Sequence, residues 1–156
     1  LFVAGITGLV FRKYLVQFAA SGMLMIVTGY IGQFYEPGRL TANIFLWVLW
    51  GLISTAFYVV VLVLITRVIQ QGVKNMKGSK AVGLFAAILP LFYIAWTIYP
   101  VAYIVPLFID TLGWGTSIMV QQVLYTIADI TSKIFYGVML NTASTILSNE
   151  QGFKVV

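Results

Sequence analysis

The chain has 156 residues, 61% of them hydrophobic and only 8% charged, with a mean hydropathy of +1.00 and a net charge of +5. A water-soluble domain carries about a quarter charged residues, so this composition describes an integral membrane protein. There is no cysteine, no histidine and only four acids, Glu36, Asp110, Asp129 and Glu150. That excludes disulfides, thiol nucleophiles, thiolate or imidazole metal sites and Ser-His-Asp chemistry, and no enzyme is expected.

Residues 1–10 are apolar, too short to span a bilayer and without the basic start of a signal peptide. They read as the cytoplasmic end of an earlier transmembrane helix, with further helices preceding Leu1. Four long apolar segments follow, near 14–34, 42–68, 82–109 and 117–147. Each exceeds the roughly 20 residues that cross the hydrocarbon core. They lack strict alternation and contain Gly, Ser and Thr, which predicts helices packed on helices rather than barrel strands. The expected fold is therefore an all-α membrane protein forming a single domain over 1–156, incomplete at its N-terminus.

The connections carry the polar residues. Glu36-Pro37-Gly38-Arg39 is a turn signal. The stretch from Arg67 to Lys80 is basic, residues 110–116 form a short loop with Gly113 and Gly115, and the tail from Ser148 is mostly polar. Arg12, Lys13, Arg67, Lys74, Lys77, Lys80 and Lys154 fall on one side of the membrane and Arg39 on the other, a split of seven to one. The positive-inside rule places the basic side and the C-terminus in the cytoplasm. With the basic residues at the membrane boundary, no nucleic-acid partner is expected. The partner is the bilayer.

The last span contains Asp129-Ile130-Thr131-Ser132-Lys133. Four residues apart, the acid and the lysine lie one turn from each other on one helix face. A charge at bilayer depth costs about 2.5–3.5 kcal/mol on the insertion scale. The pair is either a structural ion pair or a transport or ligand site. Lysine also forms imines, and a carboxylate one turn away would be the counterion of a protonated imine. In the preceding span, Trp96, Tyr99, Pro100 and Tyr103 share one face at i, i+3, i+4 and i+7. This is either an aromatic core stripe or, with a helix kinked near Trp96 by Pro100, one wall of a site for a long flat apolar ligand.

Trp96-Thr97-Ile98-Tyr99-Pro100 followed by Ala128-Asp129-Ile130-Thr131-Ser132-Lys133 resembles the last two helices of the microbial rhodopsins. The resemblance implies retinal held as a Schiff base on Lys133, with Asp129 in its counterion, Trp96, Tyr99, Pro100 and Tyr103 lining it, and Ser132 beside it. It is closest to the sodium-pumping rhodopsins of marine bacteria. Residues 28–36 (Thr-Gly-Tyr-Ile-Gly-Gln-Phe-Tyr-Glu) resemble their fourth helix and following turn, Trp50-Gly51 with 53–57 their fifth, and 124–129 with 136–138 their seventh. By matching position, Met25, Gly29, Gly51, Ser54 and Tyr58 enclose the retinal.

The chain then holds the end of helix three and helices four to seven of a seven-transmembrane-helix retinal bundle, and the selectivity triplet of helix three lies before Leu1. Gln121 stands where a sodium pump has Arg, and Asn141 where it has Gly near the cytoplasmic mouth. Both are placed on the ion pathway. Glu36 is either a solvated turn acid beside Arg39 or, by resemblance, a member of the extracellular ion-release cluster. The implied function is a light-driven pump exporting sodium, with Asp129 a transient sodium ligand. The alternatives are an inward chloride pump, an outward proton pump, a photosensor or, in another class, a retinal-free transporter or assembly subunit. A bacterial inner membrane, multi-pass insertion and a homo-oligomer are expected.

Overall fold

The computed structural model describes residues 11–75 and 78–150. The readings of residues 1–10, of Lys77 and of the tail beyond Glu150 lie outside them. The described chain is a serpentine of helices, each packed on the next. They are α1 (Phe11–Gln33), α2 (Ile44–Asn75), α3 (Val82–Ile104) with a 3₁₀ extension Val105–Phe108, a short α4 (Ile109–Leu112), α5 (Trp114–Ile130), a π turn (Thr131–Phe135) and α6 (Tyr136–Glu150). α5, the π turn and α6 run as one rod of 37 residues. α1 packs along α2, α2 also on α3, and α3 on α5 and α6.

Three described helical rods are both long and apolar enough to cross a membrane: Ile44–Asn75, Val82–Phe108 and Trp114–Glu150. The sequence predicts four. The 23 residues of α1 reach about 34 Å, enough by length.

Two connections are shorter than expected. α2 continues from the apolar run through Arg67 to Asn75, because Arg, Gln and Lys are good helix formers and their long side chains reach past the hydrocarbon. The predicted 110–116 loop shrinks to a break at Gly113, whose φ of 76° only glycine adopts without strain. Helix resumes at Trp114. The 36–39 turn forms as expected. Arg39 donates its backbone N–H to the Glu36 carbonyl at 3.3 Å, and Gly38 takes φ 90°. The Asn43 side chain then caps α2 by accepting the Leu46 N–H at 3.1 Å.

α3 stays helical through both Pro90 and Pro100. The core lies in the half of the bundle that holds the α2–α3 connection. It joins Val61, Ile65, Val68 and Ile69 of α2, Phe85, Ile88 and Phe92 of α3, and Leu140 and Ala143 of α6. In lipid the gain from this packing is dispersion and close fit rather than release of water. Hydroxyls inside the spans satisfy themselves locally. Thr28, Thr55, Thr66, Thr97 and Thr126 each donate to the carbonyl four residues back.

Candidate functional site

Lys133 and Asp129 meet. Lys133 Nζ lies 3.0 Å from Asp129 Oδ2, one turn apart on the long rod, as the spacing predicts. The local backbone was not predicted. Residues 131–135 form a π turn, which holds more residues per turn than an α-helix and is frequent at functional positions. The lysine therefore projects from a locally widened helix.

Asp129 is fixed from the neighbouring helix. The Tyr99 hydroxyl donates to Asp129 Oδ1 and lies 3.4 Å from Ser132 Oγ. One carboxylate oxygen thus faces a phenol and the other an ammonium. Trp96 packs edge-on against Tyr99, with ring centroids 6.3 Å apart, and stacks on Phe92 at 4.4 Å. Of the aromatic stripe, Trp96 and Tyr99 therefore flank the ion pair, with Pro100 next to them on the same face.

Tyr103 turns elsewhere. Its ring stacks on Trp47 with centroids 5.1 Å apart and planes 5° apart, and its hydroxyl donates to the Trp47 carbonyl at 2.9 Å. It fits there because Gly32 and Gly51 leave room. A Cβ on Gly51 would lie 2.7 Å from the Tyr103 ring, and one on Gly32 only 2.1 Å from its hydroxyl. Tyr103 is thus the wedge that ties α3 to α1 and α2.

Met25, Gly29 and Ser54 gather at the α1–α2 crossing. Ser54 Oγ donates to the Met25 carbonyl at 2.7 Å, and a Cβ on Gly29 would sit 3.0 Å from it. Tyr58 reaches α3 instead, bonding Thr97 at 3.1 Å beside Trp96. The residues expected around one ligand thus form two groups, one at the α3–α5 pair and one at α1–α2, joined through Tyr103 and Tyr58.

The outer end holds a second polar group. Glu36 is only 1% exposed, so the solvated-turn reading is wrong. Its Oε1 accepts from Arg39 Nε at 2.6 Å, and its Oε2 faces Gln121 Nε2 at 3.4 Å. The 36–39 turn folds its own carboxylate inward against α5, where buried Gln121 meets it. Asn141 is not part of either group. It lies exposed on α6, two turns beyond Lys133, and accepts the Thr145 hydroxyl through its backbone carbonyl.

Two residues between the groups were missed. Gln33 Nε2 donates to the Tyr125 hydroxyl at 3.0 Å, and the Tyr125 ring lies 6.2 Å from Tyr99. A signal existed. Gln121, Tyr125, Asp129 and Lys133 recur every fourth residue, which lines them along one side of a helix. The polar side chains thus descend from Lys133 through Asp129, Tyr99, Tyr125 and Gln33 toward the Glu36–Gln121–Arg39 group.

These residues suit a retinal linked to Lys133. The amine is 70% exposed and so within reach of an aldehyde, its carboxylate partner is already placed, and Trp96 offers a flat apolar wall. A profile of bacteriorhodopsin-like proteins matches residues 1–147 of the chain. The chain is 29% identical over 129 residues to archaerhodopsin-3 of Halorubrum sodomense, covering 82% of this chain and 46% of that protein. It is 29% identical over 131 residues to archaerhodopsin-1 of Halorubrum ezzemoulense, covering 82% and 45%. The chain therefore spans about half the length of the curated relatives it matches.

Proposed function

Because the chain belongs to the bacteriorhodopsin-like family, we propose that it is the retinal-carrying part of a light-driven ion pump, with Lys133 the point of attachment and Asp129 its counterion. The observation that carries this reading is the Lys133–Asp129 pair at 3.0 Å on a π turn inside an apolar span. Retinal, bound as an imine, supplies light absorption and a change of shape beside that pair.

The chain's own residues do the rest. Asp129 keeps the Lys133 nitrogen protonated by balancing its charge, and Tyr99 holds the carboxylate in place. Trp96 and Phe92 keep water from the apolar side. A cation passing Lys133 meets a positive charge in low dielectric, so the nitrogen must be neutral at that moment. Asp129, released from its partner, then offers a hard oxygen ligand, with the Ser132 hydroxyl nearby. Gln121 and Glu36 form the outer exit.

An ion pair 70% and 50% exposed at bilayer depth needs cover. We assign that cover to the first three helices of a seven-helix bundle, of which this chain supplies helices four to seven. By the distribution of Lys and Arg, the C-terminus is cytoplasmic. The ion we assign is sodium, moved outward. The support is the likeness of residues 28–36 and 124–129 to the sodium pumps, together with the inward-folded Glu36.

The test has two stages. Lys133→Ala made with retinal should be colourless; a variant that keeps its visible band refutes the attachment. The parent is then illuminated in cells suspended in sodium chloride, sodium sulfate and potassium chloride. Outward sodium pumping leaves the interior negative, so protons enter passively and the medium becomes alkaline, more so with a protonophore. A signal that persists in sulfate and vanishes without sodium supports the assignment. One that follows chloride, or that a protonophore abolishes, replaces sodium with chloride or the proton.

A further inference from the structure

α2 and α3 enclose a groove of about 370 Å³ on their flank, lined by Val59, Leu62, Val63, Thr66, Arg67 and Tyr93. The core stripe of α2 is Val61, Leu64, Ile65, Val68 and Ile69. Val59, Val63 and Arg67, spaced by four, lie on the side turned away from it. Val59 and Val63 are 52% and 42% exposed. The groove therefore opens outward, toward the acyl chains.

Its depth is set by helix length. Arg67 lies 23 residues after Ile44, about 34 Å along the axis. The hydrocarbon core is about 30 Å thick. The guanidinium thus sits at headgroup level while Val59, Leu62 and Val63 lie immediately beneath it, within the hydrocarbon.

The hydroxyls at the rim are already committed. Thr66 donates to the Leu62 carbonyl at 2.7 Å, so Tyr93 donates to Thr66 at 2.6 Å and has no proton left for a ligand. Among the described residues Arg67 has no carboxylate partner. Its planar fork of donors matches a phosphate. Lys74 and Lys80, toward the same end of the bundle, keep the surroundings basic.

We propose that this groove is a binding site for one anionic phospholipid of the leaflet on the basic side, its phosphate on Arg67 and one acyl chain along Val59, Leu62 and Val63. A neutral headgroup offers no net charge to Arg67, so the site selects anionic over zwitterionic lipid. The proposal does not depend on which ion is moved or on retinal.

The test is made on the full chain in phosphatidylcholine bilayers containing phosphatidylglycerol. Spin-labelled forms of both lipids measure the preference at the protein surface, and native mass spectrometry counts lipids retained after extraction. Arg67→Gln should lower the phosphatidylglycerol preference about fivefold, the effect of about 1 kcal/mol for one basic residue near an anionic surface. Arg67→Lys, which keeps the charge but not the planar fork, should retain part of it. Val63→Trp fills the groove without changing charge and should remove one retained phosphatidylglycerol. If Lys80→Gln lowers the preference as much as Arg67→Gln while Val63→Trp has no effect, the attraction is diffuse and the site does not exist. Retention of phosphatidylcholine equal to that of phosphatidylglycerol refutes the selectivity.

Discussion

Gly32→Ala places a methyl group where the Tyr103 hydroxyl now lies. The new Cβ would be 2.1 Å from that oxygen, 3.2 Å from the ring carbon bearing it and 3.1 Å from Trp50 Cβ. The oxygen is the far end of a side chain, but that side chain is wedged. Its ring is stacked on Trp47, its edge is 2.7 Å from where a Cβ on Gly51 would stand, and its hydroxyl is held by the Trp47 carbonyl. Relief must therefore move the ring off Trp47 or push α1 from α2. Overpacking of this kind costs about 1–3 kcal/mol, and the displaced hydrogen bond adds about 1 kcal/mol. Alanine returns up to about 1 kcal/mol of helix propensity, leaving a net loss of about 1–3 kcal/mol. Unfolding of the detergent-solubilised protein by added SDS, followed by circular dichroism, measures it. Tyr103→Phe removes the offending oxygen, so Gly32→Ala should cost less in that background than in the parent. Gly22→Ala and Gly137→Ala, where a Cβ meets nothing within 4 Å, should match the parent or exceed it. A Gly32→Ala protein as stable as Gly22→Ala, or a penalty unchanged by Tyr103→Phe, would refute the wedge.

Asp129→Asn removes the negative charge beside Lys133 while keeping its size. The pH at which the retinal-bound protein loses its visible band on alkaline titration should fall, because the charged form of the nitrogen loses its partner; an unchanged or raised midpoint counts against Asp129 as counterion. Arg39→Ala leaves the buried Glu36 carboxylate with only the Gln121 amide. It should lower stability by about 1–3 kcal/mol in the same SDS titration, and Glu36→Gln in the same chain should recover part of that loss. If Arg39→Ala is neutral, the turn is held by its backbone alone.

The sequence by itself determined the elements and the chemistry along each helix. Composition required a membrane, because so few charges cannot cover a soluble surface, and each long apolar run falls on a helical rod, although α2 continues to Asn75, past the run that ends near 68. The Asp129–Lys133 pair was legible because a helix turn is a local rule, and residues four apart must meet on one face. By the same rule Tyr125, one turn from both Gln121 and Asp129, was within reach and was overlooked. The resemblance at 96–100 and 128–133 named the family before any contact was known.

Helix ends were less legible. Arg67 to Asn75 reads as loop by hydropathy but is helix, since polarity at the bilayer boundary says nothing against backbone hydrogen bonding. Contacts between helices were decided only by the tertiary structure. Tyr103 shares a face with Trp96 and Tyr99, yet it leaves them for Trp47, because two glycines on other helices open a space there. Glu36 looks like a solvated turn acid, yet it is buried because the turn folds against Gln121 of α5, 85 residues away. The 3.6-residue period fixes which side chains share a face. Which neighbour that face meets depends on how helices cross, and crossing depends on the small residues that let two backbones approach.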